Sequence, residues 1–252
     1  MNYRVTGEGA IPHPRKFSGF RVAILVILGV LLICAGSSAS ANAATRLATP
    51  GGISSGSCSI TPCDLNYAIN VADPADTISL ANGTYNLGNV QVPKQLHFIG
   101  TSRANTIVGL ASGSPSADTF ELNDGADGSS FSVMTVRGNG NRSAIGTTSG
   151  AAGVDNIDVT NVTLSSSPQY SALNGIGITA PATGWDIDNI LIDGFQYGIH
   201  ANQWNATDFD IQNSQFNNNY YGGLYSTRDL ANKRGSFNTL NLSNSTFDSN
   251  RW

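Results

Sequence analysis

Three aspartates and one asparagine occupy the same place in four similar segments. Asp158, Asp186, Asp210 and Asn241 each stand three residues before a further asparagine, and Asp188 and Asp208 flank that column. If the segments stack, their carboxylates lie about 4.8 Å apart and repel one another unless a cation sits between them. Oxygen-only donors suit calcium, so Asp186, Asp188, Asp208 and Asp210 are the candidate metal ligands and calcium the one cofactor these residues suggest. A catalytic carboxylate pair is a second reading. A solvated polar face is a third, because exposed aspartates disperse their repulsion into water.

Other chemistry-bearing residues are more scattered. His200 projects outward in this reading, between Thr179 and Tyr225, as a candidate base without an orienting partner. Trp204, Tyr220, Tyr221 and Tyr225 could stack on sugar rings or simply pack at corners.

The elements that must position these groups come from a repeat. Ile157–Leu164, Trp185–Ile192, Phe209–Phe216 and Leu240–Phe247 share the pattern apolar-x-apolar-x-Asn-x-x-apolar, with its asparagines at Asn161, Asn189, Asn213 and Asn244. A weaker copy begins at Phe131, with Thr135 in place of the asparagine. Alternation at period two predicts strands. The spacing leaves no room for crossover helices, so successive strands stack as parallel coils of a solenoid. A second short strand per coil is read at Gly177-Ile178-Thr179, Gly198-Ile199-His200 and Gly223-Leu224-Tyr225. The four asparagines are expected to face inward as a structural ladder, each amide bonding turn backbone and the next amide. A solvent-exposed turn is the blander account of the same residues.

Composition agrees with this class. Charged residues are 12% and glycine numbers 28 of 252, which excludes a coiled coil or helical bundle. Residues 1–43 combine Arg4, Arg15, Lys16 and Arg21, the uncharged run Val22–Ala35, and Ala41-Asn42-Ala43, the parts of a secretory signal peptide. The run is short of the roughly 20 residues of a membrane span, so no stable span is expected after cleavage. The remainder carries 9 basic and 16 acidic residues, without the basic stripe of a nucleic-acid binder. Cys58 and Cys63 stay in this exported part and read as a disulfide. Leu65, Ala68, Ile69 and Ala72 share one helical face behind Asp64 as N-cap, a helix able to cover the first coil.

These residues carry a resemblance. CSITPC (58–63), DLNYAINVA (64–72), DTISLANGTYN (76–86), LHFIG (96–100) and TIVG (106–109) resemble the start of secreted, bacterial-type, right-handed parallel β-helix proteins of the pectin-lyase-like superfamily. The resemblance implies an all-β, right-handed parallel β-helix with a short N-terminal capping helix. The expected layout is signal peptide 1–43, disulfide segment and capping helix 44–75, and β-helix 76–252, the last coil ending without a cap as in a truncated solenoid. Family enzymes cleave acidic polysaccharides, but no Asn-Thr-Asp, Asp-Asp, Gly-His-Gly or Arg-x-Pro-x-x-Arg motif occurs, so no catalytic residue carries over.

The expectation for function is a secreted or cell-surface β-helix binding a polysaccharide or cell-surface glycan, or acting as an adhesive module, without catalysis in this segment. The alternative is the N-terminal part of a polysaccharide lyase or glycoside hydrolase.

Overall fold

The computed structural model describes residues 42–110, 117–140, 142–202, 205–227 and 236–251. Met1–Asn42 and Ala43–Trp252 form separate units, and the fold below is that of the second. Nearly all of the signal segment, and Trp204 with it, lies outside the described residues.

The second unit is a parallel β-solenoid of about seven turns. Each full coil contributes strands to three faces. The first face stacks Thr45–Ile53, Thr77–Leu80, His97–Gly100, Ser130–Gly138, Asp158–Ser166, Ala182–Asp188, Asn205–Gln212 and Ser236–Ser243 in that order. Around a corner, the second face holds Gly83–Leu87, Thr106–Leu110, the later halves of the two longest central strands, then Leu191–Asp193, Gln215–Asn217 and Thr246–Asp248. The third face is a separate six-stranded sheet: Val90–Val92, Phe120–Leu122, Ser143–Thr147, Asn174–Ile178, Tyr197–Asn202 and Gly222–Thr227.

Apolar residues alternate into the interior and stack on their equivalents one coil away. Trp185 lies on Phe209 with ring centroids 5.5 Å apart, Phe98 on Phe131 at 5.1 Å and Phe216 on Phe247 at 4.6 Å. Such offset pairs add about 0.5–1.5 kcal/mol beyond the apolar area they bury.

The N-terminal end closes as the sequence predicts. The helix Leu65–Val71 buries Leu65, Ala68 and Ile69, and the Asp64 side chain caps it by accepting from the Asn66 N–H at 2.9 Å. Cys58 and Cys63 form a disulfide. The first strand, Thr45–Ile53, was not anticipated; it pairs with Thr77–Leu80 and begins the sheet. Asp76 ties it down, accepting from the Ala44 N–H at 2.6 Å and from Arg46 Nε at 2.7 Å. Burial alone would raise the Asp76 pKa, but these bonds and that of Asp73 N–H outweigh it and hold the carboxyl below its ordinary 3.8.

Three columns of left-handed backbone bend the later coils. The first runs through Gly128, Asn156, Gly184, Asp208 and Thr239; the second through Val133, Asn161, Asn189, Asn213 and Asn244; the third through Gly194, Asn218 and Ser249. Their spacing is constant at five residues, as in 184, 189 and 194, in 208, 213 and 218, and in 239, 244 and 249. A left-handed residue turns the chain within a single position, and asparagine tolerates that backbone better than most residues.

This geometry corrects the expected ladder. Asn161, Asn189, Asn213 and Asn244 are corner residues, but their side chains do not fill the interior: Asn161 is half-buried and the other three are exposed. Asn189 Nδ2 reaches Asn161 Oδ1 at 3.5 Å, and Asn213 Nδ2 donates to Asp188 Oδ1 at 2.8 Å. The left-handed bend swings them outward, and the inward polar position falls one residue later. Ser214, 1% exposed, donates to Gln212 O at 2.7 Å and accepts from the Ile190 N–H at 3.3 Å. A buried amide pair occurs at the next corner. Asn219 Nδ2 donates to Asn250 Oδ1 at 3.0 Å and to Ile192 O at 3.3 Å, while its Oδ1 accepts from the Phe195 N–H at 3.2 Å.

Two register expectations also shift. Phe131 pairs with Val159, so the fifth corner residue is Val133 and not Thr135. Ile176 pairs with Ile199, so Gly175, and not Gly177, aligns with Gly198. Each slip is two residues, which leaves every side chain on the same face and is therefore invisible to an alternation pattern.

Candidate functional site

The acidic column stacks as its spacing requires. Asp158 pairs with Asp186, Asp186 with Asp210, and Asp210 with Asn241, all on the outer side of the first face. Partial burial, and then Asp158, Asp210 and Asp188, raise the Asp186 pKa above 3.8. The flanking residues do not complete a coordination shell. Asp188 pairs in register with Gln212 and accepts from Asn213, and Asp208 sits in the left-handed bend two residues before Asp210. Among the described residues no three His, Cys, Asp or Glu side chains are grouped to hold a metal ion. The column is geometrically real, but the expected calcium cage is not formed.

A more elaborate arrangement covers the outer side of the third face. Gly146 and Gly177 occupy equivalent positions there, paired coil to coil. Without side chains, they let neighbours lie flat over the backbone. A Cβ on Gly177 would meet Ser143 Oγ at 2.2 Å, and one on Gly146 would meet Asp118 Oδ2 at 2.2 Å. Asp118, Ser143 and Asn174 fill that space, and His200 takes the next position in the Gly177 column.

A chain of hydrogen bonds joins them. Ser143 N–H donates to Asp118 Oδ1 at 2.6 Å, and Asn174 Nδ2 donates to Ser143 Oγ at 3.1 Å. Asn174 Oδ1 then faces His200 Nδ1 at 3.1 Å, and His200 Nε2 faces Thr227 Oγ1 at 2.7 Å. Because the Asn174 oxygen can only accept, His200 carries its proton on Nδ1, and Nε2 accepts from the Thr227 hydroxyl. His200 is thus not the unpartnered outward base expected from the sequence. It is 6% exposed with both nitrogens engaged, and its register neighbours are Gly177 and Tyr225 instead of Thr179 and Tyr225. Burial pushes its pKa down to about 4, so it is neutral at pH 7. Burial also raises the Asp118 pKa; hydrogen bonds from Ser143 and the charge of Arg142 oppose this, while Glu121 adds to it.

Tyrosines roof this chain. Tyr197 lies 4.6 Å from the His200 ring, and both Tyr221 and Tyr225 stack on Tyr197 at 5.0 and 4.6 Å. Tyr221 and Tyr225 remain 38% and 41% exposed, so their outer surfaces meet solvent. Beside them a cavity of about 220 Å³ is lined by Tyr170, Gln196, Tyr220 and Tyr221, with the Arg251 guanidinium 4.3 Å from the Tyr220 ring centre. The sequence pointed to Tyr220, Tyr221 and Tyr225 but missed Tyr197, Tyr170, Asn174 and Asp118. The Asn174–Tyr197 equivalence was available only after correcting the third-face register by two residues.

Among the described residues, no helix is long and apolar enough to cross a membrane. No protein-family model, curated protein or solved structure matches the chain significantly.

Proposed function

We propose that this chain is a secreted or cell-surface β-solenoid that binds carbohydrate on its third face, without catalysis by these residues. The observation that carries the reading is the Tyr197–Tyr221–Tyr225 stack, held by a buried polar chain and open to solvent on its outer side. Pyranose rings present apolar C–H faces and a hydroxyl rim. A rigid phenol platform matches both, and tyrosine loses little conformational entropy on contact. The signal-like composition of residues 1–43, the disulfide-linked N-terminal cap and the coil pattern support membership of the pectin-lyase-like superfamily.

Binding to a panel of soluble cell-wall and cell-surface polysaccharides, measured by affinity electrophoresis, tests this reading. Retardation by at least one glycan is expected, weakened on the order of tenfold or more in Tyr221→Ala/Tyr225→Ala, with an unchanged circular dichroism spectrum showing that the coils persist. No retardation by any glycan, or a double variant that binds as well as the parent, refutes it. Release of reducing ends from the bound glycan would instead favour the lyase or hydrolase alternative.

A further inference from the structure

A second cavity, of about 220 Å³, opens on the same face two coils away from Tyr197, with Asp118, Glu121, Arg142, Thr147 and Thr148 in its wall. Its two acids are differently placed. Asp118 is 8% exposed, while Glu121 is fixed by three donors: Asn89 Nδ2 at 2.8 Å, Gln91 Nε2 at 2.7 Å and Thr148 Oγ1 at 3.2 Å.

Acceptors outnumber donors on this side. The single proton of Thr148 Oγ1 faces both Glu121 Oε1 and Asn123 Oδ1, so one of the two acceptors goes without it.

The opposite charge is present but does not close on the acids. Arg142 acts on Asp118 electrostatically, yet no nitrogen of Arg142 comes within ion-pair distance of Asp118 or Glu121. Two carboxyl groups and one unpaired guanidinium therefore share a space the size of a small molecule. A ligand filling it should bring an ammonium to the acceptor-rich side and an anionic group to the guanidinium. A bare cation would satisfy only the acids, and a bare anion only Arg142.

We propose that this cavity binds a free α-amino acid or an equally small ammonium–carboxylate zwitterion, its amino group held by Asp118 and Glu121 and its carboxylate by Arg142. The cavity shares Asp118 with the polar chain beneath the tyrosines, but its ligand set of Glu121 and Arg142 lies outside that chain, so the assignment stands whether or not the platform binds glycans. Thr147 marks the inner limit, since its Oγ1 is engaged by the Thr179 N–H at 2.7 Å and the Ala180 N–H at 3.1 Å.

Isothermal titration calorimetry of the purified chain with L-serine, methylammonium and acetate tests the assignment. Saturable serine binding with Kd about 1 mM or tighter is expected, with methylammonium and acetate each at least about tenfold weaker. Glu121→Gln and Arg142→Gln each remove one pole and should weaken serine on the order of tenfold or more. Arg142 is exposed and Glu121 half-buried, and an unchanged circular dichroism spectrum confirms that the coils persist in both variants. The proposal fails if serine shows no saturable binding, if either half-ligand binds as tightly as serine, or if either variant binds serine like the parent. Retained glycan binding in these variants separates failure here from failure of the carbohydrate reading.

Discussion

Acidification should unlock the polar chain beneath the tyrosines, and His200 sets the pH at which it does so. Its unfolded pKa is about 6.5 and its folded pKa about 4. The folded state thus binds fewer protons than the unfolded state between these values. Stability from the neutral imidazole is fully present above pH 6.5 and is lost as pH falls towards 4. At about 1.36 kcal/mol per unit, the loss approaches about 3 kcal/mol across that window. Asp118 and Asp186 act with the opposite sign: their raised pKa values mean that acidification relieves a cost. Asp76 titrates below 3.8 and stays outside the window. His200 is therefore isolated by difference. Urea unfolding of the parent and of His200→Gln from pH 7 to 4 should show a stability gap that narrows by about 3 kcal/mol on acidification. The Cε1–H resonance of His200 should hold its position until the pH nears 4. A constant gap, or an imidazole that titrates at its ordinary 6.5, would refute the burial and tautomer reasoning.

Three further outcomes follow from the same geometry. Gly177→Ala drives a Cβ into Ser143 Oγ and should lower stability by about 1–3 kcal/mol, whereas Gly88→Ala, with open space around it, should change thermal melting little. Asn219→Leu strands the Phe195 N–H and Ile192 carbonyl and should cost about 1–3 kcal/mol in urea titrations. Asp186→Asn should raise the melting temperature at pH 7 in low salt by removing repulsion from Asp158 and Asp210; sodium and calcium at matched ionic strength should abolish the gain equally.

The solenoid was legible in the sequence because its most regular stretch repeats the same layout at a fixed spacing. Between Gly184 and Gly194 the chain places a bend, a first-face strand, a corner asparagine, a second-face strand and another bend, and Asp208–Asn218 and Thr239–Ser249 do likewise. Such a stretch shows its apolar alternation and its asparagines in fixed register. The direction of those asparagines was not legible, since it depends on a left-handed φ that pattern alone does not reveal. Third-face registers were obscured because the Gly-Ile-Gly-Ile run at 175–178 matches itself when moved by two residues. The polar chain was hidden for a related reason. Asp118, Ser143, Asn174 and His200 share no sequence pattern and meet only because glycines at 146 and 177 leave room above the sheet.

The fixed five-residue spacing of the three bends has a consequence for how such a chain can change. From Gly184 to Gly194, Asp208 to Asn218 and Thr239 to Ser249 nothing can be inserted without rotating every later residue off its stack. Between one third bend and the next first bend the distance differs, being shorter from Gly194 to Asp208 than from Asn218 to Thr239. That interval contains the third-face strands and the tyrosines Tyr197, Tyr220, Tyr221 and Tyr225. The last three coils thus each join a rigid half to an editable half, and the editable half is the one that meets solvent with aromatic rings. A library that lengthens or shortens only this interval should keep the solenoid while varying its recognition surface, which makes the coil a natural unit for grafting new specificities.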